Sequence, residues 1–164
     1  MRIIFLDIDG VLNSSQSAAY WYRLYKRGLN PIPGAFMRVC PIAYSNLLTI
    51  LEKCPDVRIV LSSTWRIHED YKEKLRDADV DPDVLGKIID RTPIHLSSGR
   101  GNEINQWLEN HPEVDDFIII DDDSFDMQPY KEDKRFINTS TALGLTYFEV
   151  ERIIKYFNGD NNAR

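Results

Sequence analysis

Three short stretches are apolar at consecutive rather than alternating positions: "IIFL" (3–6), "VRIVLSS" (57–63) and "FIII" (117–120). Unbroken runs of this length are the pattern of strands buried on both faces, as in a parallel sheet covered by helices. "KIID" (87–90) and "RFIN" (135–138) are shorter strands of the same kind. Helical spacing fills the intervals. Pro41 opens a helix in which Ala43, Leu47, Ile50, Leu51 and Cys54 share one face, and Pro55 stops it. "IHEDYKEKLRDA" (67–78) reads as a charged, mostly exposed helix. In "NEINQWLEN" (102–110), Ile104, Trp107 and Leu108 form a stripe that ends before Pro112. "TYFEVERIIKYF" (146–157) opens on a capping box, Thr146 with Glu149, and buries Val150, Ile153, Ile154 and Phe157.

Strand and helix thus alternate, which predicts an α/β protein of Rossmann-like three-layer α/β/α build around a central parallel sheet. Right-handed crossovers bring the strand ends to one side, where open α/β sheets bind their ligands. The expected organisation is one domain over 1–158 and a frayed tail over 159–164. Residues 14–40 form an insertion after the first strand, a minimal cap at most. It holds the aromatic and basic "YWYRLYKRG" and the turn-rich "NPIPG". The simpler reading packs those aromatics against the sheet. The alternative stacks nucleotide bases on them beside the cations.

Composition narrows the picture. The 164 residues suffice for a full hydrophobic core, and 43% of them are apolar. A net charge of −6 argues against broad attraction to duplex nucleic acid, though a local basic patch can still hold phosphate. Cys40 and Cys54 have neither metal-ligand spacing nor a disulfide framework and read as small core residues. No stretch has the length of a membrane span, and four apolar residues before Asp7 are too few for a signal peptide. A cytoplasmic protein is the expectation.

Chemistry gathers at the strand ends. Asp7 and Asp9 follow the first strand, Ser62 and Ser63 the second, and Asp121, Asp122 and Asp123 the third. Carboxylates converging on a buried sheet edge must be protonated or neutralised by a cation. Oxygen ligands of this type suit Mg²⁺, which is held by a few carboxylates together with phosphate and water. Arg100, between Gly99 and Gly101 at the start of a helix, is placed to receive that phosphate. A carboxylate in line with the phosphorus can act as nucleophile, and a second one as acid and base. The calcium-loop reading of the same acids fails, because Val11 occupies a ligand position and the required Gly and Glu are missing. His68, His95 and His111 match no metal spacing, and neither a nucleophile elbow nor a Walker-type loop occurs.

In this order the motifs resemble those of the haloacid dehalogenase (HAD) superfamily. "FLDIDGV" is similar to its first motif, "IVLSS" to the second, "RGNEINQWL" to the third and "IIIDDDSFD" to the fourth. The resemblance implies a magnesium-dependent phosphomonoester hydrolase with Asp7 as nucleophile and Asp9 as acid/base. It implies metal binding by Asp7, Asp9 (through its backbone carbonyl), Asp121 and Asp122, with Asp126 a further acid. It implies phosphate binding by Ser62 or Ser63, by Arg100 and around Gly10. The second acid, Asp9, marks phosphate chemistry rather than carbon–halogen cleavage. "SSTWR", "RGNEI" and "DDDS" are similar to RNA-repair-related, polynucleotide-phosphatase-like members. The implied partner is a phosphorylated small molecule or a nucleic-acid end. Transfer to an acceptor other than water and a non-catalytic phosphate-binding module are the alternatives. Arg66 is left between a phosphate contact and a surface position.

Overall fold

A computed structural model describes residues 1–29, 38–95 and 98–159. Five parallel strands form one sheet: β1 (Arg2–Leu6), β2 (Arg58–Leu61), β3 (Ile88–Arg91), β4 (Asp116–Asp121) and β5 (Phe136–Asn138). Their order is β3-β2-β1-β4-β5. The chain steps outward from β1 to β2 and β3, then returns to the other side for β4 and β5. The switch point therefore lies between β1 and β4, where such sheets open a crevice at their carboxyl ends.

The unbroken apolar runs have the predicted cause. Successive side chains of a strand point to opposite faces, and here both faces are covered. Ile4, Leu6, Ile59 and Leu61 enter one core, shared with α2 (Pro41–Lys53) and α6 (Tyr147–Phe157). Ile3, Phe5, Val60 and Ile119 enter the other, against Ile104 and Trp107 of α5 (Arg100–Glu109). This is the three-layer arrangement that the alternation of strands and helices predicts. Trp107 meets Phe5 edge-on at 5.4 Å, which fixes the position of α5 over β1. Pro41 stands in the first turn of α2. The Thr146–Glu149 capping box starts α6. Cys54 is buried in the first core and Cys40 packs against it. None of the described helices is long and apolar enough to cross a membrane.

Three elements differ from the sequence reading. The charged helix expected over 67–78 is shorter, α3 (Tyr71–Asp77), and a 3₁₀ turn at Thr64–Ile67 precedes it. Ser63 caps the turn, and His68 ends it with extended backbone. The turn carries Arg66, which is buried beneath the second strand end. Next, α4 (Pro82–Lys87) has only six residues, too few to show a period; Asp81 caps it and Pro82 opens it. Third, the insertion contains α1 (Ser15–Lys26). "NPIPG" and the tail from 160 onward lie outside the described residues.

Candidate functional site

The strand register builds the site. Leu6 pairs with Leu61 on one side and with Ile120 on the other. One residue further, Asp7 stands between Ser62 and Asp121. The ladder continues through this level: Asp7 N–H donates to Ile120 O and Ser62 N–H to Leu6 O, both at 3.0 Å. Three separate strand ends thus deliver two acids and a hydroxyl to one line, at the switch point.

Asp7 and Asp121 are buried, and Asp122 is half-buried. Among the described residues these three form an acidic group in which one oxygen from each lies within 4.8 Å of the others. Arg100, at the first turn of α5, reaches into the group. Its Nη1 is 2.5 Å from Asp121 Oδ2 and 3.3 Å from Asp7 Oδ2, and its Nε is 4.0 Å from Asp126. Burial works to lower the Arg100 pKa, but Asp121 and Asp7 outweigh it and hold the guanidinium charged. Burial pushes Asp121 up to about 7, with the charge of Asp7 adding to the rise and Arg100 opposing it. Asp7 is likewise raised by burial, against the pull of Arg100 and of the Ser63 hydroxyl.

Three carboxyl groups facing one guanidinium leave two negative charges without a partner once all three are ionised. That excess, two members of it buried, matches the charge and the oxygen preference of a divalent cation such as Mg²⁺. Asp7, Asp121 and Asp122 are the residues that could hold it. The Asp9 carboxylate is not part of this group. It is exposed at the mouth of the site, with Oδ2 accepting from Trp65 Nε1 at 2.9 Å and Oδ1 from Asn13 Nδ2 at 3.0 Å.

Gly10 closes the turn between these acids. Its φ is +77°, and a Cβ there would stand 2.1 Å from the Asp122 carboxyl group. The loop after β5 clamps the same turn. Thr139 Oγ1 donates to Gly10 O at 2.8 Å, and Thr141 Oγ1 donates to Asp122 Oδ2 at 2.6 Å. At the other side Gly101 lies so close to the Gln128 backbone that a Cβ would fall 2.1 Å from its carbonyl oxygen, so the start of α5 sits tightly under the loop that carries Asp126.

The two serines have different surroundings. Ser63 accepts from Trp65 N–H as a cap and lies against Asp7. Ser62 Oγ is fully buried and has no hydrogen-bond partner. A hydroxyl in that position is a donor awaiting an acceptor. Asp123 caps its own turn, accepting from Phe125 N–H and Asp126 N–H. Arg66 is neither on the surface nor free for a substrate. It is buried, donates to Ser62 O at 2.6 Å and Ser63 O at 2.8 Å, and pairs with buried Glu103. It holds the second strand end in place. Trp65, Asn13, Thr141 and Glu103 were not legible as site residues. Each acts on a residue far away in sequence or through a turn, and no spacing rule reports that.

An α/β sheet with acids, a hydroxyl and an arginine converging at its switch point is the architecture of a phosphate-handling HAD-like domain. Over residues 3–150 the chain matches the family described as "HAD domain in Swiss Army Knife RNA repair proteins", and it belongs to that family. No curated protein and no solved structure matches the chain.

Proposed function

We propose that the chain is a divalent-metal-dependent phosphomonoesterase that works through an aspartyl phosphate on Asp7 and acts on a polynucleotide end. The observation that carries this reading is the meeting of Asp7, Asp121 and Asp122 within 4.8 Å, with Arg100 against two of them and the unpartnered Ser62 hydroxyl beside them. The family's description as a domain of RNA repair proteins supports the choice of substrate class.

The residues divide the work as follows. Ser62 Oγ and Arg100, the first residue of α5, bind the phosphoryl oxygens. Asp7, charged when substrate arrives, attacks the phosphorus in line; its Oδ–P bond forms as the bond to the leaving oxygen breaks. Asp9, at the mouth, gives that oxygen its proton. It then removes a proton from the water that attacks the aspartyl phosphate, so that inorganic phosphate leaves and Asp7 is regenerated. Arg100 offsets charge on the phosphoryl group throughout. A bound Mg²⁺ supplies further positive charge at Asp7, Asp121 and Asp122, which keeps Asp7 ionised despite its burial and screens it from the incoming phosphate.

With p-nitrophenyl phosphate and Mg²⁺, wild-type protein releases phosphate, whereas Asp7→Asn and wild type in excess chelator do not. Turnover by Asp7→Asn removes the nucleophile assignment. A panel of 3′- and 5′-phosphorylated oligonucleotides then ranks substrates, and a competing alcohol reveals any acceptor other than water.

A further inference from the structure

Helix α1 leaves the site as an aromatic and basic rod that the fold does not bury. Its base is tied to the catalytic loops. Asn13 holds Asp9, Ser14 caps the helix, and Ser15 N–H donates to the carbonyl of Thr141, the residue that holds Asp122. Beyond that base, Ser17 is the one buried residue of the helix. Ser17, Trp21 and Leu24 follow at helical spacing and make the inward stripe, of which Trp21 and Leu24 are half-buried. The opposite stripe is Ala19, Tyr22, Arg23 and Lys26, all exposed. Tyr20, Tyr22 and Tyr25 keep 56%, 49% and 45% of their surface in water. The expectation that these aromatics pack on the sheet is therefore not met.

Charge singles out the same face. Between Ser14 and Leu29 there are three basic residues, Arg23, Lys26 and Arg27, and no acid, in a chain of net charge −6. The Lys26 ammonium lies 5.6 Å over the Tyr22 ring, so cation and aromatic face form one composite surface. A membrane surface is a poor match, because the outward stripe offers tyrosine and alanine rather than a continuous apolar face. Phosphates that meet the cations while bases stack on the rings use every part of it.

We infer that α1 is the docking surface for the single-stranded polynucleotide whose phosphorylated end enters the site, an inference that rests on the proposed reaction for its orientation. Twelve residues of helix give the strand a track of about 18 Å leading away from Asp9. Recognition is by stacking and charge, hence tolerant of base sequence.

The test measures binding of full-length protein to a phosphorylated RNA of roughly 12 nucleotides by fluorescence anisotropy in chelator, so that no turnover is needed. Tyr22→Ala/Arg23→Gln/Lys26→Gln weakens binding at least about tenfold, and the salt slope of binding falls by about 1.4, the share of two single-strand phosphate contacts. Tyr22→Phe alone binds as wild type, because the ring face is kept. Turnover of p-nitrophenyl phosphate, too small to reach along the helix, stays within about twofold in the triple variant, which also shows that it folds. Equal binding by triple variant and wild type, no binding by wild type, or equally tight binding of duplex RNA or of an acidic phosphopeptide overturns the inference. Oligonucleotide binding by wild type with no phosphate release from any substrate instead overturns the proposed reaction and leaves the surface standing.

Discussion

Trp65 Nε1 donates a 2.9 Å hydrogen bond to Asp9 Oδ2, across 56 residues of sequence. Asn13 holds the other oxygen, so the acid at the mouth of the site is gripped from both sides. Trp65 is itself buried, with its ring in the main core, and cannot follow Asp9 if that acid moves. The orientation of Asp9 is thus set by core packing.

Removing that grip slows departure of the leaving group only for substrates that need a proton, a split read in kcat/KM, which precedes the aspartyl-phosphate hydrolysis that all substrates share. In Trp65→Phe we expect kcat/KM for an alkyl phosphate to fall about tenfold, the value of one hydrogen bond to a charged group. For p-nitrophenyl phosphate, whose leaving group departs unprotonated, kcat/KM changes little. Asp9→Asn gives the larger version of the same split, roughly 10²–10⁴-fold on the alkyl ester. Equal losses on both esters in Trp65→Phe indicate general damage to the fold rather than loss of proton delivery.

Gly10→Ala meets two obstacles at once, the positive φ and the Asp122 carboxyl 2.1 Å from the new Cβ. The backbone conformation alone costs about 1–2 kcal/mol. Asp122 must also turn away, so Mg²⁺ affinity measured by calorimetry falls with activity. Unchanged Mg²⁺ affinity in a folded Gly10→Ala protein removes Asp122 from the metal site.

Asp121 makes the metal-free protein sensitive to pH. Its folded-state pKa, about 7, is above the ordinary carboxylate value near 3.8, so the folded state retains a proton that the unfolded chain has lost. Its contribution to stability is present below about pH 4 and is lost as pH rises to about 7. Melting temperature in chelator is expected to fall across that window more steeply for wild type than for Asp121→Asn. Mg²⁺ raises it more at pH 8 than at pH 5, because protons and metal compete for the same oxygens. A chelator curve as flat in wild type as in Asp121→Asn contradicts this.

The buried Arg66–Glu103 pair is a structural element, so breaking it lowers stability before it changes chemistry. Arg66→Met leaves Glu103 buried without its partner and should cost about 3–5 kcal/mol in urea unfolding. The Ser62 and Ser63 carbonyls also lose their donor, so phosphate binding weakens in whatever fraction folds. Wild-type stability in this variant refutes the structural role.

The one-dimensional pattern was enough for the sheet, its parallel sense and the acids at its ends. Burial on both faces demands unbroken apolar runs such as Ile3–Leu6 and Ile118–Ile120, and such runs end where polar groups must meet solvent or ligand. It also brought Asp7 and the acids at 121–123 to one sheet edge, because register in a parallel sheet is a local consequence of where strands stop, but it left open which of those acids turn inward. Tertiary structure alone decided the rest. That Asp9 turns to Trp65, that Arg66 is buried against Glu103, and that Ser62 rather than Ser63 keeps an unpartnered hydroxyl all depend on contacts between distant segments. The exposure of α1 is of the same kind. A period of 3.6 tells which side chains share a face, but only the packed molecule determines which face is covered and which is left to water.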